Sequence, residues 1–213
     1  DLRVSREPID PVRFIANRST GRMGVALANE AARRGADVYL AAANIEQSVM
    51  AQLDESVQVI SVGSALELKD VMEQLDELVD VLVMSAAVSD FRVEASSQTK
   101  IKRDGDLTLN LVENPDILAG LARDRREGQT IVGFAAETGD AETDYLEFGR
   151  QKARRKGADL LVINRVGTEA GFGDVDTAVT IVDRNGGTVA EAAGSKADAA
   201  AAIIDSIKTY RTN

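Results

Sequence analysis

The chain has 213 residues, enough for one α/β domain with a sizeable core, and at 44% hydrophobic and 28% charged its composition is that of an ordinary globular protein. Its 35 acidic against 25 basic residues leave a net charge of −10, which argues against nucleic acid or an anionic membrane as the principal partner. Cysteine and histidine are absent, which excludes disulfides, thiolate or imidazole metal ligands and Ser-His chemistry, and leaves carboxylates, Lys, Arg, Asn and bound cations.

No apolar run approaches the roughly 18 residues that span a bilayer, and no secretory pattern opens the chain. The expected compartment is reducing, the cytoplasm. Residues 2–5 read as the end of a first strand. Residues 6–24, REPIDPVRFIANRSTGRMG, follow at once. Pro8 and Pro11 hold this stretch out of helix as a defined loop. Ser19 and Thr20 read as helix N-caps, and Gly21 and Gly24 open a helix whose first turn is nearly free of bulk. Such a start is an anion site, because unpaired N–H groups and the positive end of the dipole point at whatever binds there. The same small residues also suit close helix–sheet packing, but Arg13, Asn17, Arg18 and Arg22 crowd the same place and favour a site.

Residues 25–34 carry apolar and alanine positions at helical spacing, Gly35 is a natural C-cap, and residues 37–41 read as a buried parallel strand completing β-α-β. Residues 57–62 form a further strand. A helix over 65–78 is capped by Ser64, with Glu67 in the capping-box position. The very apolar strand 79–84 delivers the small residues 85–90 to a carboxyl edge, where open α/β sheets bind ligands. Asp90 there either holds a cation or hydroxyl or caps its own loop.

Residues 91–112 break the α/β rhythm. KIKR (100–103), Asp104-Gly105 and LTLNL (107–111) alternate at period two around a turn signal and predict a β-hairpin arm that needs a surface to lie on, such as a second subunit. Asn114-Pro115-Asp116 starts the next helix with Pro115 at its first position, and Ile117, Leu118 and Leu121 form its stripe. Strand 130–134 brings Phe134 and the residues to Thr138 to the same rim. A helix over about 141–156 places Lys152 and Lys156 on one face and Arg150 and Arg154 beside them, either a solvated basic face or a cradle for an anionic ligand. Strand 159–163 ends at Asn164, a hairpin over 178–191 closes one sheet edge, and the terminal helix 195–210 buries Ile203, Ile204 and Ile207. No linker or repeat interrupts the chain, so one domain over residues 1–213 is expected.

The blocks REPIDPVRFIANRSTGRMG, SAAVSDFR followed by KIKR, ENPDIL, VGFAAET, RQKARRKGADL and VIN, in this order, resemble the bacterial phosphopantothenate–cysteine ligase of coenzyme A biosynthesis, the ligase domain of a bifunctional protein. The resemblance runs from Arg6 to about Thr180 and more loosely beyond. It implies a Rossmann-like three-layer sandwich with a mostly parallel sheet and a dimerising arm over residues 91–112. It also implies an enzyme that activates the carboxylate of 4′-phosphopantothenate with CTP and Mg²⁺ or Mn²⁺ and joins it to L-cysteine, releasing pyrophosphate and CMP.

Residue by residue, the resemblance assigns Asn17 to the activated acyl group, with Arg13 on the same substrate loop beside Ser19, Thr20 and Gly21. Lys100 corresponds to the lysine that reaches from the arm to the phosphates. Met84, Ser85, Ala86, Asp90, Pro115, Asp116, Ile117, Leu118, Phe134, Lys152 and Lys156 correspond to nucleotide-binding positions, with Asp90 also the candidate metal ligand. The family is homodimeric, and its ligase domain often follows a flavin-dependent decarboxylase domain, which a chain beginning at Asp1 rather than Met accommodates. The chain departs from the family by lacking, between Ser5 and Arg6, the glycine-rich turn that the family carries just before the REP block, a departure that bears on phosphopantothenate binding if it is a true deletion.

Two other classes of protein fit these residues less well. A nicotinamide-dependent oxidoreductase wants G-x-G-x-x-G after the first strand and an acidic residue ending the second, and this chain has neither in place. A non-catalytic nucleotide-binding module of the same fold needs none of Asn17, Lys100, Lys152 and Lys156 together.

Overall fold

Pro8 and Pro11 keep the segment after Arg6 extended, and the chain doubles back on itself: β1 (Glu7–Pro8) pairs antiparallel with β2 (Phe14–Ile15). In this computed structural model residues 5–17, 19–138, 144–165 and 176–212 are described. The predicted first strand over 2–5, apart from Ser5, lies outside them, as do Arg18 and the start of the helix predicted over about 141–156. The small hairpin is fastened at three places to the segments that follow two of the strands. Ser5 Oγ accepts from Ser89 N at 3.1 Å, Arg6 N donates to Gly63 O at 2.8 Å, and the buried Glu7 carboxylate accepts from Ala65 N at 3.0 Å. The guanidinium of Arg6 lies 4.5 Å over the Phe14 ring.

Helix α1 (Arg22–Arg33) begins after Gly21, whose φ of 80° puts it in the left-handed region that glycine reaches at low cost. Gly21 therefore occupies the N-cap position with no side-chain bond, and neither Ser19 nor Thr20 caps the helix as predicted. Gly35 ends the helix as expected, at φ 86°, with Gly35 N donating to Ala32 O and Ala36 N to Ala31 O.

Strand β3 (Tyr39–Ala43), the single turn α2 (Gln47–Met50) and strand β4 (Gln58–Val62) follow, β3 and β4 pairing in parallel. Helix α3 (Ala65–Asp76) has the predicted cap: Ser64 Oγ accepts from Glu67 N at 3.3 Å, while Glu67 reaches back to Gly63 N at 2.7 Å, one residue earlier than a standard capping box. Strand β5 (Val81–Met84) leads into the arm, whose base is β6 (Phe91–Val93) paired with β7 (Leu111–Glu113). Helix α4 (Ile117–Asp124), β8 (Thr130–Glu137), α5 (Tyr145–Lys156), β9 (Leu160–Arg165), β10 (Thr177–Asp183), β11 (Thr188–Gly194) and α6 (Lys196–Thr212) complete the chain.

The main sheet has the order β11-β10-β9-β8-β5, with β5, β8 and β9 parallel and the β10–β11 hairpin antiparallel at one edge, as the sequence predicts. On one face Leu27 of α1 and Ile203 and Ile207 of α6 cover Val132, Val162 and Ile181. On the other Leu68, Met72, Ile117 and Leu121 cover Leu82 and Ile131, and Ala153 of α5 packs with Leu161 and Ile163. The result is a three-layer Rossmann-like α/β sandwich. The β3–β4 pair stands as its own sheet: between the facing edges of β3 and β5 is a cavity of about 550 Å³ lined by Leu40, Ala41, Val81 and Val83 and by Leu27, Leu68 and Ile207 from the helices.

Two predicted elements need correction. Residues 100–110 form no ladder, because the arm pairs only at its base. Leu107 and Leu111 remain exposed, and a lone two-stranded ribbon with no apolar surface beneath it gains too little to stay paired. Helix α4 is capped by Asp116, whose carboxylate accepts from Ala119 N at 3.1 Å, so Pro115 precedes the cap instead of opening the helix.

Candidate functional site

The carboxyl edge of the parallel strands is sewn together largely by side chains that bond backbone, and the path crosses four separate segments. Asn17 donates both amide hydrogens, at 3.3 Å to Ala87 O and 3.0 Å to Val88 O, pinning the loop after β5. Ser89, two bonds further on, donates its hydroxyl to Phe91 O at 2.6 Å and its carbonyl accepts from Asn114 Nδ2 at 2.9 Å. Asn114 N donates to Asp90 O at 2.8 Å. Asp116, two residues on, caps α4 and pairs with Lys156 at the end of α5. A row from Asn17 to Lys156 thus lines the rim. The links from Asn17 to Asn114 end on backbone groups, so the loops between parallel strands hold one shape, and the last link, Asp116 to Lys156, joins two side chains.

Lys156 and Lys152 lie on the same face of α5 and are engaged by carboxylates from different elements, Lys156 by Asp116 and Lys152 by Glu137 of β8 at 3.2 Å. Partial burial pushes the Asp116 carboxyl up, but Lys156, the Ala119 amide and Arg155 together hold it below the usual value. Arg150 and Arg154 do not join this group. Arg150 donates to Thr188 Oγ1 and Arg154 to Asn185 O, so they fasten the β10–β11 hairpin and the predicted four-cation face is two lysines wide.

The remaining predicted nucleotide residues divide by burial. Met84 and Ile117 point into the core, so what they can offer a ligand is backbone at the end of β5 and the start of α4. Leu118 packs across Gly133, where an added Cβ would meet Leu118 Cδ2 at 2.4 Å. Ser85, Ala86, Pro115 and Phe134 are half-buried along the rim, and Asp90 is exposed there. Among the described residues no group of three or more potential metal-binding side chains gathers. Asp90 is therefore a single carboxylate, a donor set that suits Mg²⁺ only when phosphates and water complete it.

Arg13 and Lys100 come together through a residue the sequence reading passed over. The Asp10 carboxylate, fully buried, accepts from Val12 N at 2.8 Å, Arg13 N at 2.9 Å, Arg13 Nε at 2.9 Å and Ile101 N at 3.1 Å. The Arg13 guanidinium beside it, together with these amides, holds the carboxyl far below the usual range. Arg13 Nη2 also donates to Ile101 O at 2.8 Å. Lys100 itself is exposed, with Ser97 N bonded to Ile9 O at 2.9 Å on its other side. The signal for Asp10 was present in P-I-D-P, since an Asp before a proline-shaped turn bonds amides two and three residues on. Nothing local marks Asn114 or Glu137, whose partners are distant in sequence.

The chain matches the family model described as DNA/pantothenate metabolism flavoprotein C-terminal domain over residues 4–210. It is 46% identical over 213 residues to the coenzyme A biosynthesis bifunctional protein CoaBC of Mycobacterium bovis, a match covering 97% of this chain and 50% of that protein. The chain thus spans about half the length of the curated relatives it matches. Among solved structures, the C-terminal domain of a coenzyme A biosynthesis bifunctional protein CoaBC superposes with a TM-score of 0.78 at 30% identity, covering 98% of this chain and 91% of that one. A Cab2 mutant in complex with phosphopantothenate-cysteine superposes with a TM-score of 0.76 over 98% of this chain and 84% of that one; at 19% identity it bears on the fold alone.

Proposed function

Because the chain belongs to the DNA/pantothenate metabolism flavoprotein C-terminal domain family, we propose that it is a ligase joining 4′-phosphopantothenate to L-cysteine at the expense of CTP. The reading is supported most by the row of bonds from Asn17 through residues 87–90 and Asn114 to Asp116 and Lys156, because it sets an amide, a carboxylate and two lysines along one ligand-binding sheet edge.

In the first half-reaction a carboxylate oxygen of the acyl substrate attacks the α-phosphorus, the bond to pyrophosphate breaks, and an acyl-cytidylate forms. Lys152 and Lys156 exchange their carboxylate partners for phosphate oxygens, Phe134 offers an apolar plane to the base, and Asp90 would be the carboxylate to hold Mg²⁺ or Mn²⁺. A bound metal neutralises phosphate charge there. Lys100 reaches over from the arm. In the second half-reaction the cysteine amine attacks the acyl carbon, the bond to CMP breaks and the amine gives up a proton. Since both amide hydrogens of Asn17 are committed to Ala87 and Val88, the atom it has left for a ligand is Oδ1, an acceptor suited to an amine N–H.

The exposed apolar residues Val12, Phe14, Phe91, Leu107 and Leu111 lie on the hairpin and arm, and they support packing of this side against a second copy as a homodimer. The same reading includes a flavin-dependent decarboxylase as covalent or assembled neighbour, and a cytoplasmic setting.

Pyrophosphate release from CTP with Mg²⁺ and 4′-phosphopantothenate, with and without cysteine, tests the proposal. Cysteine-dependent formation of CMP and a new amide is expected. Tight nucleotide binding with no turnover by CTP or ATP would favour a binding module instead, an outcome made specific by the missing glycine-rich turn at Ser5–Arg6.

A further inference from the structure

We propose that Asp10 is a positioning residue for Lys100, holding the arm so that the lysine ammonium is delivered to the reacting phosphates; the inference rests on the ligase reading. Lys100 has no ladder to place it, because residues 100–110 are outside the paired base of the arm. Its placement comes from the peptide of its neighbour. Ile101 N donates to Asp10 Oδ2 and Ile101 O accepts from Arg13 Nη2, so both backbone polar groups of one residue are taken by an ion pair on the opposite hairpin. On the other side Ser97 N donates to Ile9 O. The backbone is thus fixed before and after Lys100, and its long side chain is left exposed to move between those points.

Asp10 is the pivot of this clasp. Arg13 alone is a half-exposed side chain with many rotamers, whereas Asp10 is buried and bound to the amides of its own turn, so it is Asp10 that orients the guanidinium. The turn in turn is held to the start of α3 through Glu7 and Ala65, and to the loop after β5 through Ser5 and Ser89. Asp10 therefore links the arm rigidly to the same rim that Asn17 lines. Anchoring the backbone on both sides of Lys100 reduces the freedom that its ammonium must give up when it meets a developing charge.

The test is a double-mutant cycle between Asp10→Asn and Lys100→Gln, read as cysteine-dependent turnover, together with amide hydrogen exchange at Ile101. Asp10→Asn alone is expected to lower kcat about tenfold or more with the KM for CTP changed less than about threefold, and to speed exchange at Ile101. In the Lys100→Gln background the same change is expected to cost less than about twofold. A loss that multiplies fully in that background, or a wild-type kcat in a variant whose Ile101 exchanges fast, would overturn the proposal. If Asp10→Asn does not fold, Asp10→Glu, which keeps the charge and displaces it by one methylene, carries the same cycle. Absence of turnover by the unmodified protein would remove the ligase reading, whereas Ile101 exchange needs no activity and decides separately whether the clasp exists.

Discussion

Lys156 at the end of α5 is paired with Asp116, the residue that caps α4, although forty positions separate them. On the ligase reading, a nucleotide phosphate must displace this carboxylate to reach Lys156. The carboxylate is about half exposed, at 47%, so the pair is worth on the order of 0.2–1 kcal/mol.

Asp116→Asn should keep the cap, since Asn also accepts from Ala119 N, while releasing Lys156. The expected result is a nucleotide KM lower by up to about fivefold at low salt, with the gain shrinking as salt rises. Titration calorimetry or steady-state kinetics with CTP checks it. A higher KM would mean that Asp116 itself contacts the ligand.

For Asn17→Asp the two half-reactions are expected to separate. A carboxylate cannot donate to Ala87 O and Val88 O, and on the ligase reading it would place a charge where the amine and acyl group meet. Pyrophosphate release should persist while amide formation falls by about a hundredfold or more. Equal loss of both steps through weaker nucleotide binding would count against a role at the acyl group.

Gly149 in α5 has no room for a methyl. A Cβ there would stand 2.4 Å from Ile163 Cδ1 and 2.8 Å from Cγ2, and Ile163 is itself fully buried in β9. Gly149→Ala should gain helix propensity of about 1 kcal/mol but lose more to overpacking, for a net destabilisation of about 1–2 kcal/mol. Chemical denaturation measures this, and a stabilised variant would show that α5 can shift outward without cost.

Acid should loosen the contact between α1 and α6. Glu30 accepts from Arg33 and Arg34, and Arg34 also pairs with Asp205 of α6, so the arginines hold the Glu30 carboxyl at about 2 against an ordinary 4.5. A lowered folded-state pKa means stability present above the unfolded value and lost as pH falls from about 4.5 through about 2. The difference in Tm between wild type and Glu30→Gln should therefore be constant near neutrality and shrink across that window. A difference independent of pH would show that the ion pairs contribute nothing.

The order of elements was legible because its signals are local. Alternating or continuous apolar runs marked β4, β5, β8 and β9, Ser64 with Glu67 marked the start of α3, and Gly35 marked the end of α1. The chemical inventory was legible too: a chain without Cys or His that carries the ANRSTG, KIKR and GFAAET blocks restricts the reaction to amide, carboxylate, lysine and phosphate chemistry. The tertiary structure decided which cations face the rim. Arg150 and Arg154 share a helix with Lys152 and Lys156, yet a rotation of about 100° per residue turns them to the β10–β11 hairpin. It also decided that the arm is unpaired beyond its base and is held by Asp10 and Arg13, because a carboxylate's partners are chosen by what folding brings within about 3 Å, and Ile101 stands 91 positions away.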